Sequence, residues 1–488
     1  MPILQTRSSF LLFLCAVVAA AGPATAADFY VDPVAGSPGG DGSAEDPWRT
    51  LQEVVDADLI ETRVWETLPY APGTPLVVVN PGAPVKAGDT LWLRSGYHGE
   101  LQVRGAYNAA PITLAAQPGH APLLGRVELQ SVQNWILRGI SISPSHADPP
   151  IAPGTIVRIE DHGFWGPTWD VAVEDCEVFT VLDASGWGVT EWLDVAQSGI
   201  SVRSSPRVTL QRNTVRNVRH GITVGTGSDD ALVSRNVVDG FSADGLRGLG
   251  DRGVFEYNRI ANCHISSSQG DGNHDDGFQS WSVGPGGVGT GEVRDVVLRG
   301  NLFINHVDPD HPLRATMQAI GCFDGLFVNW VVENNVVITD HWHGITFHGM
   351  IDSRIVNNTV IDINDATPGP PWIRVASSNG TDSQNVVVRN NLATDYSLGG
   401  VDITDDHNLE FSDADSLFLA PPYDLRLLPG SAAMDAGSSA LAPPVDILGF
   451  PRPQGPAVDL GAYEGCPPCL FFDGFESGDT SAWSGTAP

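Results

Sequence analysis

Lysine is almost missing from this chain: Lys86 is the only one, and the rest of its 26 basic residues are arginine. Against 58 acidic residues this leaves a formal net charge of -32 and a pI near 4.5. So little positive charge supplies no basic patch, and nucleic acid is not an expected partner. An acidic polymer remains a possible ligand wherever a bound cation or a local arginine cluster reverses the field; the rest of the acidic excess reads as solubilising surface. Cysteine is scarce as well. With Cys15 in the N-terminal apolar run, five remain, Cys176, Cys263, Cys322, Cys466 and Cys469, and an odd number argues against a full disulfide framework. Cys466-Pro-Pro-Cys469 reads as a local clamp, and Cys322 as a small core filler. Long apolar runs are confined to the N-terminus, where residues 10–21 follow Arg7 and precede Ala24-Thr25-Ala26. That is the pattern of a secretory signal, residues 1–26, cleaved before Ala27. Leu14 stands before Cys15 where lipid anchoring wants a small residue, so the expectation is a released, extracellular or periplasmic protein. No other stretch approaches the roughly 20 apolar residues of a membrane span.

What the chain does have is a repeat. An asparagine followed by a short apolar strand recurs at Asn213, Asn236, Asn258, Asn301, Asn335, Asn358 and Asn391, at intervals of 23, 22, 43, 34, 23 and 33 residues. A minimal period of 22 to 23 with occasional expansion is one solenoid turn carrying loops of variable length. Stacked asparagines at a turn can bond their amides to the next rung. A second short strand falls once in every turn, with inward residues Ile200, Ile222, Leu246, Phe278, Ile320, Ile345 and Ile373. Period-2 alternation puts Ser201, Thr223, Arg247, Gln279, Gly321, Thr346 and Arg374 above one another on the outer face. These two registers predict an all-β, right-handed parallel β-helix whose flat face suits a long linear ligand.

Residues 30–52 (YVDPVAGSPGGDGSAEDPWRTLQ) and Lys86-Ala-Gly-Asp-Thr-Leu-Trp-Leu resemble the entry into the β-helix of secreted pectate-lyase-like proteins. The resemblance implies a short helix over residues 51–59 capping the open end of the core. Asp424-Leu-Arg-Leu-Leu-Pro-Gly and Val458-Asp-Leu-Gly-Ala-Tyr-Glu resemble the segment that follows such helices. The expected organisation is therefore a coil over 27–420, a covering segment over 421–465, and a tail over 466–488 that resembles a sorting or anchoring tag of bacterial exoproteins. A single-chain, monomeric protein is expected.

Chemistry concentrates on neighbouring turns. Aligning Ser242-Ala-Asp-Gly-Leu-Arg247 with Asn273-His-Asp-Asp-Gly-Phe-Gln-Ser-Trp281 places Asp244 over Asp276, with Asp275 beside them. Carboxylates within about 4.8 Å repel unless a cation or shared proton intervenes, and hard oxygen ligands suit calcium. Aspartate before glycine is also ordinary turn chemistry, which explains any one of these residues better than all three. Further on, Gln318 and His343 continue the column, and His341-Trp-His-Gly-Ile-Thr-Phe-His348 brings three histidines within eight residues. Trp281, Phe323 and His348 form an expected outward aromatic row for stacking sugars. The long inserts 265–273, 283–292 and 305–316 flank the same groove, the last bringing Arg314 within reach of it.

Ala-Asp-Gly-Leu followed by Asp-Asp-Gly-Phe is similar to the calcium site of a pectate lyase family. This implies calcium on Asp244, Asp275 and Asp276, and β-elimination from a uronate-containing polysaccharide. The chain departs from that family at Gln279, where a further aspartate is usual, and it offers no lysine as base. The remaining bases are Arg247, Arg314, His343 and His348, with Asp276 in the catalytic set and Gln279, Trp281, Gln318, Phe323 and Arg374 lining the substrate. The order Asp-Gly, Asp-Asp, His-Gly is also similar to polygalacturonase-like glycoside hydrolases, which work with an acid and a base carboxyl. A non-catalytic glycan-binding coil is the third reading, because a fold by itself implies no activity.

Overall fold

The computed structural model describes residues 26–364 and 367–465. All but the last residue of the expected signal segment, the tail and the Cys466/Cys469 clamp lie outside the described residues. The asparagine repeat organises the rest. The main-chain N–H and one Nδ2 hydrogen of each ladder asparagine, from Asn213 to Asn358, donate to the Oδ1 of the next at 2.9–3.0 Å. Nδ2 of each also reaches a carbonyl of the preceding turn, as Asn236 does to Leu210 at 2.8 Å. All seven are buried. A polar side chain tolerates such burial because every donor and acceptor is used. Cys176 opens the ladder, its N–H donating to Asn213 Oδ1 at 3.0 Å. Asn408, only 17 residues past Asn391, closes it and escapes the 22-residue pattern because the last turn is short.

Three sheet faces follow from this corner. Two share the long strands Leu101–Ala116 and Val127–Arg138 and so form one continuous 26-stranded sheet; the third has 12 strands. Pairing between successive turns is parallel. On the groove face the register runs Ile200, Ile222, Leu246, Phe278, Ile320, Ile345, Ile373. Each of these side chains is at most 1% exposed. Like side chains thus stack along the coil axis and form one continuous apolar core, where burial contributes about 25 cal/mol per Å² of apolar surface. Cys322 lies in that core, fully buried and unpaired.

The ends are covered. A helix at Leu51–Asp56, capped by the Thr50 side chain on Glu53 N–H, seals one end with Leu51 and Val54. It is shorter than the expected 51–59 because Asp58 turns to a φ of 56°, and the chain leaves the helix there. At the other end the last coil strand is Leu409–Glu410, so the coil stops short of residue 420. Phe418–Ala420 instead pairs antiparallel with Asp424–Leu427. Leu417, Phe418, Leu425 and Leu460 pack on Ala261, Ile304, Val336 and Ile338, outward apolar residues of the third face that would otherwise be bare. The buried pair Arg452–Glu464, at 2.7 Å, ties that covering segment together.

Candidate active site

The groove is formed by the successive strands Ser198–Arg203, Ile222–Val224, Asp244–Gly248, Asp276–Trp281, Gln318–Asp324, His343–His348 and Trp372–Ala376. The outer column expected from alternation is present: Ser201, Thr223, Arg247, Gln279, Gly321, Thr346 and Arg374 lie in one register. Asp244 pairs with Asp276, and Asp276 with Gln318. On three of these strands the first polar residue bonds the one three positions on. Asp244 pairs with Arg247, Gln279 Nε2 donates to Asp276 Oδ2 at 2.9 Å, and His343 Nδ1 meets Thr346 Oγ1 at 3.0 Å.

The geometry bears on two of the sequence expectations, the calcium set and the candidate bases. Asp244 and Asp276 each have partners of their own. Asp244 already has its cation in Arg247, and accepts N–H bonds from Asp276 (3.1 Å) and the Asn273 amide (3.3 Å). Asp276 is occupied by the Gln279 amide and by His274, whose Nδ1 lies 3.7 Å from Oδ2. Asp275 is buried apart, with Asp271 its strongest charged neighbour. Among the described residues the three do not form a metal-ligating group. N–H donors occupy part of these carboxylates, while Asp275 Oδ1 and Asp276 Oδ1 have no hydrogen-bond partner. The candidate bases also shrink. Arg247 is committed to Asp244 and lies 5.4 Å over the Trp281 ring. Arg314 does not reach over the groove, because Asp340 holds it in an ion pair.

The aromatic row is broken in two. A register shift between Ser280 and Trp281 sets Trp281 opposite Asp324 instead of Phe323. Trp281 therefore stays with Arg247, whereas Phe323 packs edge-on between His343 (4.9 Å) and His348 (5.3 Å). Trp372, which carried no periodic signal beyond its place before Ile373, completes this second cluster. Its ring lies 5.4 Å from His343, and its Nε1–H donates to Thr346 Oγ1 at 3.2 Å. The same Nε1–H lies 3.3 Å from His343 Nδ1, which also meets Thr346 Oγ1, so which imidazole nitrogen carries the proton depends on the tautomer. Arg374 sits 5.3 Å over the Trp372 ring, bonds Ser397 Oγ at 2.6 Å and, among the described residues, has no carboxylate partner.

Electrostatics divide the groove. Burial, then repulsion from His341, His348 and Arg374, pulls His343 down to about 4, and burial lowers His348 as well. Both are neutral near pH 7. Burial and the charge of Asp244 push Asp276 up to about 8, while Asp276 raises His274, the exposed histidine before it. Both shifts favour retention of protons at the His274–Asp276 pair. Burial and Asp271 push Asp275 to about 9. Asp276 Oδ1, Gln318 Oε1 and His348 Nε2 are buried without a hydrogen-bond partner. Each of these atoms is open to a polar partner such as water or a ligand.

Residues 198–414 match the family model described as the right handed beta helix region. The molecule is a right-handed parallel β-helix. The β-helix is similar to solved structures of a pectate lyase, Pel9A (14% identity, 91% of this chain and 97% of that one, TM-score 0.42), and of a rhamnogalacturonan lyase (11%, 80% and 90%, 0.38). The A-module of mannuronan C-5 epimerase AlgE6 from Azotobacter vinelandii is similar at 13% identity, over 64% and 86% of the two chains, with a TM-score of 0.38. None of the curated proteins matches the sequence. Among the described residues no helix is long and apolar enough to cross a membrane.

Proposed function

We propose that the β-helix is a secreted polysaccharide lyase that cleaves a uronate-containing chain by β-elimination without calcium. The observation that carries this reading is that an uncompensated cation, Arg374, and a neutral imidazole, His343, both pack against Trp372. A uronate carboxylate placed on Arg374 is neutralised, which acidifies the hydrogen on the adjacent C5. In the tautomer whose Nδ1–H donates to Thr346 Oγ1, His343 Nε2 takes that proton; the electron pair forms the C4–C5 double bond as the C4–O bond breaks. The departing oxygen is protonated from the His274–Asp276 pair, whose raised affinity for protons suits an acid near neutral pH. Phe323 and Trp372 give the apolar sugar faces a wall, and the unpartnered atoms of Gln318 and His348 meet sugar hydroxyls.

Hydrolysis fits less well. It needs one carboxyl as acid and another free to activate water or attack. Asp244, the second carboxyl, has a fully buried side chain and is tied to Arg247. The test is a panel of uronate-containing and neutral polysaccharides with chelator present, read for both unsaturated product and new reducing ends. Unsaturated product from a uronate polymer supports elimination. Reducing ends without unsaturation would transfer the site to hydrolysis, and binding without any product would make the groove a non-catalytic glycan site.

A further inference from the structure

On the adjacent face, away from the groove, three histidines from different parts of the chain meet. His264 follows the strand Arg259–Cys263, His306 lies just past Leu302–Ile304 on the next turn, and His311 belongs to the insert 305–316. One ring nitrogen from each lies within 4.8 Å of the others. The rings are 4.6 to 5.1 Å apart, and His264 stacks on Trp192 at 4.2 Å. They border a cavity of about 500 Å³ that Trp187, Asp183 and Asn217 also line.

We infer that His264, His306 and His311 form a binding site for a divalent transition metal of the zinc class, with its fourth coordination position open to this cavity. Three imidazoles and no thiolate or carboxylate are a borderline donor set, matched to zinc, copper or nickel and not to calcium or magnesium. Metal–nitrogen bonds of about 2.0–2.1 Å put tetrahedral ligands roughly 3.4 Å apart, so side-chain rotations suffice to close the group. The cluster has an unmet need: His264 Nδ1 and His306 Nε2 are buried without partners, on side chains only 8% and 4% exposed. Leaving such atoms bare is costly, and a metal satisfies them. The frame is rigid. Main-chain bonds join His264 to Phe241 (2.7 Å), Ile265 to Leu313 (2.8 Å) and Ala315 to Cys263 (3.1 Å), and Tyr423 Oη donates to the His306 carbonyl at 3.1 Å. His306 and His311 each accept a local N–H at Nδ1, from Asp308 and Leu313. Coordination through Nε2 moves or releases the ring proton and opens those two contacts, so the metal adjusts the insert that leads into the groove strand Gln318–Asp324.

The test is zinc titration of the metal-stripped full-length protein by calorimetry, with thermal unfolding in parallel. One zinc per chain is expected, with a raised unfolding midpoint. His311→Ala, at the most accessible of the three, and His306→Gln should each weaken binding at least tenfold and remove the thermal gain, while the unfolding midpoint without metal stays that of the parent. His343→Ala in the groove should bind zinc as the parent does. Absence of stoichiometric binding, equal affinity in the His311 and His306 variants, or loss of binding in the groove variant would each overturn the assignment.

Discussion

His343 and Asp276 make opposite demands on pH. His343, drawn to about 4, is a usable base once pH exceeds that value, and Asp276, pushed to about 8, keeps its proton until pH reaches it. The pH dependence of kcat/KM should therefore rise through about 4 and fall through about 8, and a rising limb near the ordinary histidine value would exclude His343 as buried base. His343→Ala should lower kcat by about 10²–10⁴-fold with the fold intact by circular dichroism. Arg374→Ala should lower kcat as well as raise KM, reducing kcat/KM by at least roughly 10–100-fold, because it removes both a charged contact to the substrate and the neutralisation that acidifies C5–H. Gly321 is a third point of control. A Cβ there would stand 2.1 Å from Asp276 Oδ1, so Gly321→Ala should displace the carboxyl and shift the alkaline limb while leaving the acid limb in place. At this scale the sequence was only partly legible. Asp244, Asp276, Gln318, His343 and Arg374 follow from alternation, but the partners that decide their chemistry do not. That Arg247 neutralises Asp244, or that Trp372 joins His343 to Arg374, depends on rotamers across strands that no one-dimensional spacing encodes.

The ladder is the element on which the turns depend. Asn301 accepts from the Asn258 main chain and side chain, and donates to Phe255 O and Asn335 Oδ1. Asn301→Ala strands at least two buried main-chain groups at roughly 1–3 kcal/mol each. The unfolding free energy should fall by about 2–5 kcal/mol in denaturant titration, against little change for an exposed asparagine such as Asn379. Ladder and core stacks were readable because a coil repeats one solution, so each turn supplies an independent vote on register. The irregularities were not: the shift at Ser280/Trp281, the short final turn to Asn408 and the early end of the coil at Glu410 are single events without repetition. The histidines at 264, 306 and 311 were hidden for the same reason, since loops of unequal length separate residues that the coil brings together.

For the molecule as a whole, a net charge of -32 opposes a polyanionic substrate at long range, while Arg374 attracts it only at contact. Salt screens the first beyond a Debye length of about 10 Å at 0.1 M and affects the short-range contact less. The association rate with a uronate polymer should therefore increase as ionic strength rises from a few millimolar, as stopped-flow binding would measure; a steady fall would mean that the groove attracts polyanions at a distance. The central claim is that Arg374 and His343 perform calcium-free elimination. It is tested most directly by the ultraviolet absorbance of unsaturated uronide product during digestion of uronate polysaccharides in excess chelator. We expect product to form at the same rate with and without chelator and about 10²–10⁴-fold more slowly in His343→Ala. Product that requires added calcium, or that forms at an undiminished rate in His343→Ala, would contradict it.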